Sequence, residues 1–213
     1  MAFTFPKVYP ILDSAVIPAG GRTEYLRRLG WSLADAGVTL LEYRNKTGSD
    51  SEILSDGGIL RATLPDGQVK LILDDRVDLV EQMGFDGVHV DADDATPEEA
   101  RRLLGPDRMV GTFGGSEGFL PGILSAPVDY LAVGPVYATT TKQTTKAPIG
   151  PEGVRRLRAT AGPERVLTAA AGITLETAPL VLEAGATTVA VAAAIFRAAD
   201  PAAEFRKWVA ALG

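Results

Sequence analysis

Short apolar runs rich in β-branched residues alternate with longer amphipathic segments along the whole chain. Eight of these runs read as strands: Val8–Leu12, Leu40–Tyr43, Lys70–Leu73, Gly87–Val90, Met109–Thr112, Tyr130–Val133, Val166–Ala170 and Thr188–Val191. The segments between them carry helical spacing. In Val77–Met83, for example, Val77, Val80 and Met83 share one face, which predicts a helix. Thr96-Pro97-Glu98-Glu99 combines an N-cap, a first-turn proline and acids near the positive end of a helix. Gly105-Pro106 then stops that helix, and Gly185 is placed to close another over Leu175–Ala184.

Strict strand–helix alternation favours a parallel sheet. Eight units in 213 residues predict an α/β fold, a compact single-domain (β/α)8 TIM barrel spanning residues 1–213. An open doubly wound sheet would also hold eight units. No G-x-G-x-x-G turn follows the first run, which argues against a dinucleotide-binding sheet.

Composition narrows the chemistry mainly by exclusion. With 46% hydrophobic and 23% charged residues, the chain reads as ordinary globular protein rather than disorder. The net charge of −6 and the lack of a basic stripe argue against nucleic acid as a partner. There is no cysteine and one histidine, which excludes thiol catalysis and makes Ser-His-Asp or poly-His metal sites very poor candidates. No apolar stretch approaches the roughly 20 residues needed to cross a bilayer, so no membrane partner is expected. The first seven residues lack a basic region followed by an apolar run, so no signal peptide is expected and the protein is read as cytoplasmic.

In a barrel, chemistry collects where strands end. After the second run, alternation puts Glu42, Arg44 and Lys46 on one side and Tyr43 and Asn45 on the other. Two cations at that spacing suit a polyanion, and a solvated loop is the competing reading. Asp74-Asp75-Arg76 follows the third run and Asp91-Ala92-Asp93-Asp94 the fourth. Carboxylates there suit a hard metal such as Mg²⁺ and suit helix capping equally well. His89, inside the fourth run, reads by itself as a packed, hydrogen-bonded residue. The sixth run leads into a long stretch rich in hydroxyls and lysines, Gly134 to Lys146, which has the character of an oxyanion site. Small residues end the last two runs, at Ala170-Ala171-Gly172 and Ala192-Ala193-Ala194. They would let backbone amides approach a phosphate, or simply pack a helix tightly.

Together these segments resemble thiamine phosphate synthase over most of the chain, from about Leu40 to Pro201. The family's Gln-x-Arg-x-Lys reads Glu42-Tyr43-Arg44-Asn45-Lys46, and its Asn-Asp-Arg reads Asp74-Asp75-Arg76. Gly87-Val88-His89 is intact, as is Gly134-Pro135-Val136-Tyr137-Ala138-Thr139-Thr140-Thr141-Lys142, the most specific of these motifs. The Gly-Gly-Ile turn appears as Ala171-Gly172-Ile173. The resemblance implies a Mg²⁺-dependent transferase that joins hydroxymethylpyrimidine diphosphate to a thiazole phosphate, releasing pyrophosphate and forming thiamine monophosphate. By position it implies Asp75 and Asp94 as metal ligands. Arg44, Lys46 and Lys142 would hold the diphosphate and carry catalysis. Glu42, facing the pyrimidine, together with Asp74 and His89 would contact substrate. Thr139, Thr141 and backbone groups around Gly172, Ala192 and Ala193 would bind phosphate.

Several family positions are altered: Gln to Glu42, Asn to Asp74, a Ser to Phe113, a turn Gly to Ala171 and another Ser to Ala193. Extra carboxylates and lost hydroxyls mark a divergent member. Two alternatives therefore stand beside the synthase. One is a thiazole tautomerase-like isomerase, although that group uses a histidine beyond the fifth strand and this chain has none there. The other is a catalytically silent barrel that binds a phosphorylated thiamine precursor. The sequence carries no interface signature, and assembly into a homo-oligomer stays open.

Overall fold

The computed structural model describes residues 3–91, 95–115, 120–139 and 146–213. Eight parallel strands close into a barrel in sequence order: β1 Val8–Asp13, β2 Leu40–Arg44, β3 Lys70–Asp74, β4 Gly87–Val90, β5 Met109–Gly115, β6 Tyr130–Val133, β7 Val166–Ala170 and β8 Thr188–Val191. β8 returns to β1 with Val189 beside Val8, which completes the ring. The (β/α)8 reading of the sequence holds, and the open sheet does not.

The helices are α1 Arg22–Asp35, α2 Asp50–Thr63, α3 Pro97–Leu104, α4 Leu120–Ile123, α5 Gly150–Ala161, α6 Ala178–Glu183, α7 Ala193–Phe196 and α8 Pro201–Leu212. α3 begins on the Thr96/Glu99 capping box and ends at Gly105, as its sequence predicts. The helix expected over Val77–Met83 is only a 3-10 turn at Val77–Leu79. The chain must return to β4 at Gly87. That leaves too few residues for an α-helix and its connections. α6 is likewise shorter than its apolar spacing suggests, because Thr174 and Thr177 form a hydrogen-bonded turn ahead of it.

Alternation along each strand sorts side chains into two cores. Outward residues such as Leu41, Leu73, Val110, Leu131 and Val189 pack beneath the helices against Leu26, Leu60, Leu157 and Trp208. Full burial of a side chain such as Leu contributes roughly 1.5–3 kcal/mol, so this shell supplies most of the driving force. The barrel interior holds Tyr9, Leu40, Ile72, Met109, Tyr130 and Ala190, with Phe3 and Phe5 packed against them. A Cβ at Gly111 would lie 2.0 Å from the Tyr130 ring, so glycine there makes room for that ring to cross the interior. The interior is filled from below, and the open space lies above it, at the carboxyl ends of the strands.

Candidate active site at the carboxyl ends of the strands

A cavity of about 570 Å³ occupies that end of the barrel. Glu42, Arg44, Asp74, His89, Thr139, Gly172, Ala192 and Ala193 all line it. Lys46 and Asp75 stand beside it and are joined to each other and to that lining by ion pairs. Asp94, Thr141 and Lys142 lie outside the described residues.

The β1–β3 side of the mouth is a row of alternating charges. Arg44 pairs with Asp13 and, at 3.3 Å, with Asp74. Lys46 pairs with Asp74 at 3.0 Å and with Asp75. The row holds three carboxylates and two cations. Burial raises the Asp74 carboxyl to about 6 against the pull of Lys46. Burial also lowers the Lys46 ammonium, but the carboxylates of Asp74 and Asp75 outweigh it and the net shift is upward. The capping alternative for the Asp pair fails, because the turn at Val77–Leu79 starts at Arg76 without a side-chain cap. Asp75 instead adopts a left-handed backbone at φ 67°. Strain of that kind clusters at functional sites.

Behind the row, β2 is held from outside the barrel. Tyr43 donates to Asp56, which Arg22 grips through both carboxylate oxygens, and Asn45 donates to the Tyr43 hydroxyl at 3.0 Å. Asp56 is buried, so its charge is tolerable only because these donors meet it. The alternation read from the sequence thus has a purpose on both faces: Tyr43 and Asn45 anchor the strand that presents Glu42 and Arg44.

Deeper in the cavity runs a chain of buried polar groups. Tyr9 donates to Glu42 at 2.8 Å, the Tyr9 and Tyr130 hydroxyls lie 3.1 Å apart, and Tyr130 meets His89 Nδ1 at 3.2 Å. The His89 and Tyr130 rings stack at 5.5 Å. Burial, reinforced by the charge of Asp74, lifts the Glu42 carboxyl to about 8. Both tyrosines are held well above their ordinary range by burial and by Glu42.

The opposite side is built from backbone and small side chains. The chain after β6 pairs onto the end of β7, with Val136 N donating to Ala170 O and Tyr137 N to Ala171 O. This brings Ala138 and Thr139 over the mouth. A Cβ at Gly172, φ 69°, would meet the Ala138 carbonyl at 2.4 Å, so only glycine permits that approach. Ala171 has a left-handed backbone at φ 75°.

Comparison with known proteins decides the family. The profile of thiamine monophosphate synthase matches residues 8–195. The chain belongs to that family. A thiamine-phosphate synthase of Koribacter versatilis is 41% identical over 188 residues, 88% of each chain. One from Agrobacterium fabrum is 38% identical over 178 residues, 82% of this chain and 81% of its own. Among solved structures, the thiamine phosphate pyrophosphorylase from Pyrococcus furiosus superposes with a TM-score of 0.79 at 27% identity, over 97% of both chains.

Reasoning from sequence missed some of the cavity lining. Asp13 ends the first strand and belongs to the charged row, and the strand-end rule applied to β1 would have found it. Thr168 was missed as well, whereas Asp91 and Lys146, which also line the cavity, belong to the carboxylate run after the fourth strand and the lysine-rich stretch after the sixth that the sequence already marks. Lys146 lies 4.0 Å above the ring of Phe113, one of the altered family positions. Tyr9 and Tyr130 carried no linear signal, since their meeting depends on the barrel closing.

Proposed function

We propose that this chain is a thiamine phosphate synthase that joins hydroxymethylpyrimidine diphosphate to a thiazole phosphate, giving thiamine monophosphate and pyrophosphate. Family membership over residues 8–195 sets the reaction class. The observation that carries the assignment to this site is the row Asp13–Arg44–Asp74–Lys46–Asp75 at the cavity mouth.

In the reaction the bond from the pyrimidine methylene carbon to the diphosphate oxygen breaks, and its electron pair leaves on oxygen. The thiazole nitrogen supplies the pair for the new C–N bond. No proton need be removed from that nitrogen, which suits a site with one histidine and no cysteine. The residues' task is electrostatic. Arg44, Lys46 and Lys142 meet the charge that grows on the diphosphate. Glu42, Asp74 and His89 hold the pyrimidine side. Thr139, Thr141 and the backbone at Gly172, Ala192 and Ala193 hold the thiazole phosphate.

The donor set fits Mg²⁺. Among the described residues no group of three or more His, Cys, Asp or Glu gathers as a metal site. Mg²⁺ needs only one or two carboxylates when substrate phosphates complete its shell. Asp75 and Asp94 would hold it. Bound there, it would supply positive charge for the leaving diphosphate. The excess of carboxylates over cations in the row supports this, since the row alone would repel a diphosphate.

We place the enzyme in the cytoplasm, acting on small molecules. No helix among the described residues is long and apolar enough to cross a membrane. The test is to incubate the purified chain with both substrates and Mg²⁺ and to follow thiamine monophosphate by chromatography. Product that disappears with EDTA is expected. No product from folded protein would overturn the assignment in favour of a silent or retargeted barrel.

A further inference from the structure

Glu42 projects from β2 into the cavity floor and is 4% exposed. Among the described residues, Tyr9 alone bonds its carboxyl, donating to Oε2 at 2.8 Å. No cation there forms an ion pair with it. Arg44 and Lys46, further along the same strand, turn instead to Asp13, Asp74 and Asp75. Oε1 accepts no bond from the described residues, and it is not one of the side-chain atoms that burial seals off without a partner. It therefore opens on the cavity that Glu42 lines.

This environment suits an acid better than its anion. A buried carboxylate needs a cation or several donors, and one tyrosine hydroxyl serves only one of the two oxygens. The charged and titratable groups that face Glu42 are Tyr9 from β1, Arg44 and Lys46 from β2, Asp74 from β3 and Tyr130 from β6. His89 from β4 lies beyond Tyr130. Burial and the charge of Asp74 favour the proton, whereas Tyr9, Arg44 and Lys46 oppose it, and the balance sets the carboxyl at about 8.

The two forms offer a ligand different things. A carboxylate only accepts hydrogen bonds, whereas a neutral acid donates through one oxygen and accepts through the other. An amide does the same, and the family motif has Gln at this position. An aminopyrimidine presents the complementary pair side by side: a ring nitrogen that accepts and an amino group that donates.

We infer that Glu42 binds the pyrimidine as a neutral acid, its Oε1–H donating to a ring nitrogen, so that this substrate is taken only with a proton on Glu42. The inference rests on the function proposed above, which puts the pyrimidine beside Glu42. The neutral acid stands in for the amide of the family motif and adds no fourth negative charge to the three carboxylates at the mouth. Once ionised, Glu42 loses its donor and sets its charge against the lone pair of the ring. Pyrimidine binding therefore weakens as pH rises through the titration of Glu42, and thiazole phosphate binding does not.

The experiment compares the wild type with Glu42→Gln and Tyr9→Phe from pH 6.5 to 9 in the presence of Mg²⁺. The wild-type KM for hydroxymethylpyrimidine diphosphate should be about tenfold higher at pH 9 than at pH 7, as one proton on a carboxyl of about 8 requires. The KM for thiazole phosphate should not share this rise. Glu42→Gln carries a donor and an acceptor at every pH, so its KM for the pyrimidine diphosphate should stay level. Tyr9→Phe removes the bond that favours the anion, so its rise should begin at higher pH. Calorimetric titration with the pyrimidine diphosphate at pH 8.5, in buffers of different ionisation enthalpy, should show most of one proton taken up by the wild type and none by Glu42→Gln. A purely structural role for Glu42 would give no such difference in proton uptake. A level wild-type KM without proton uptake, in an enzyme that makes thiamine monophosphate, overturns this inference alone. A rise that Glu42→Gln retains does so too. A wild-type chain that neither makes thiamine monophosphate nor binds the pyrimidine diphosphate overturns both this inference and the proposed function.

Discussion

Lys46 Nζ lies 3.0 Å from Asp74 Oδ2, and Arg44 Nε reaches the same oxygen at 3.3 Å. Asp74 thus occupies both cations assigned to the diphosphate, at a position where the family motif has Asn. Binding the diphosphate requires these cations to exchange a carboxylate for a phosphate oxygen, and the buried Asp74 competes with the substrate.

Asp74→Asn should therefore tighten the diphosphate. Removing one competing charge beside two phosphate-binding cations should lower the KM for hydroxymethylpyrimidine diphosphate by about threefold to tenfold at pH 7.5, a difference of order 1 kcal/mol. Steady-state kinetics at saturating thiazole phosphate give the answer. A higher KM would mean that Asp74 orients the cations instead of competing for them.

Asp75→Asn addresses the metal. An amide is a poorer ligand than a carboxylate for a hard cation. The Mg²⁺ concentration for half-maximal rate should rise by roughly tenfold or more. A Mg²⁺ titration at fixed substrate measures this, and an unchanged midpoint would remove Asp75 from the metal site.

Glu42 makes a prediction about pH. Its folded carboxyl is raised to about 8 by burial and by Asp74, above the usual carboxylate value of about 4.3 for an unfolded chain. Between those values the folded state binds the extra proton. Its contribution is fully present at low pH and is lost as pH rises through about 8. Wild-type stability should fall across this window relative to Glu42→Gln. The variant should be more stable at pH 8 by on the order of 1 kcal/mol, about 2–4 °C for a chain of this size. Melting temperatures from pH 5 to 8.5 provide the comparison, and parallel curves would show that Glu42 is ionised throughout.

Ala171 stores backbone strain at the mouth. A non-glycine residue at φ 75° pays roughly 1 kcal/mol, which glycine avoids. Ala171→Gly should raise stability by about that amount, reduced somewhat by the added freedom of its unfolded chain. Denaturant unfolding reads the change directly. A destabilised variant would mean that the Ala171 methyl packs more favourably than its backbone is strained.

Much of this molecule is written in its linear pattern. Eight apolar runs and the spacing between them determine a parallel sheet with helices packed over it, and the pairing of β8 with β1 then closes that sheet into a barrel. Period-two alternation places Glu42 and Arg44 inward and Tyr43 outward, since pleating leaves no other choice. The capping box of α3 is equally local. Short motifs, read in one dimension, also marked Arg44, Lys46, Asp75 and the turn at Gly172.

Only the tertiary structure decided which of these groups meet. Lys46 and Asp75 are 29 residues apart, and Tyr9 and Tyr130 are 121 apart. Their contacts arise from strand register around a closed ring. Register likewise put Asp13 into the charged row. The helix expected at Val77–Met83 failed for the same kind of reason: apolar spacing records which side is buried, whereas the distance to the next strand sets how much chain is available to form a helix. Periodicity is a property of neighbours in sequence. The charge balance, burial and unmet hydrogen bonds of a site belong to neighbours in space, and the closing of the barrel chooses them.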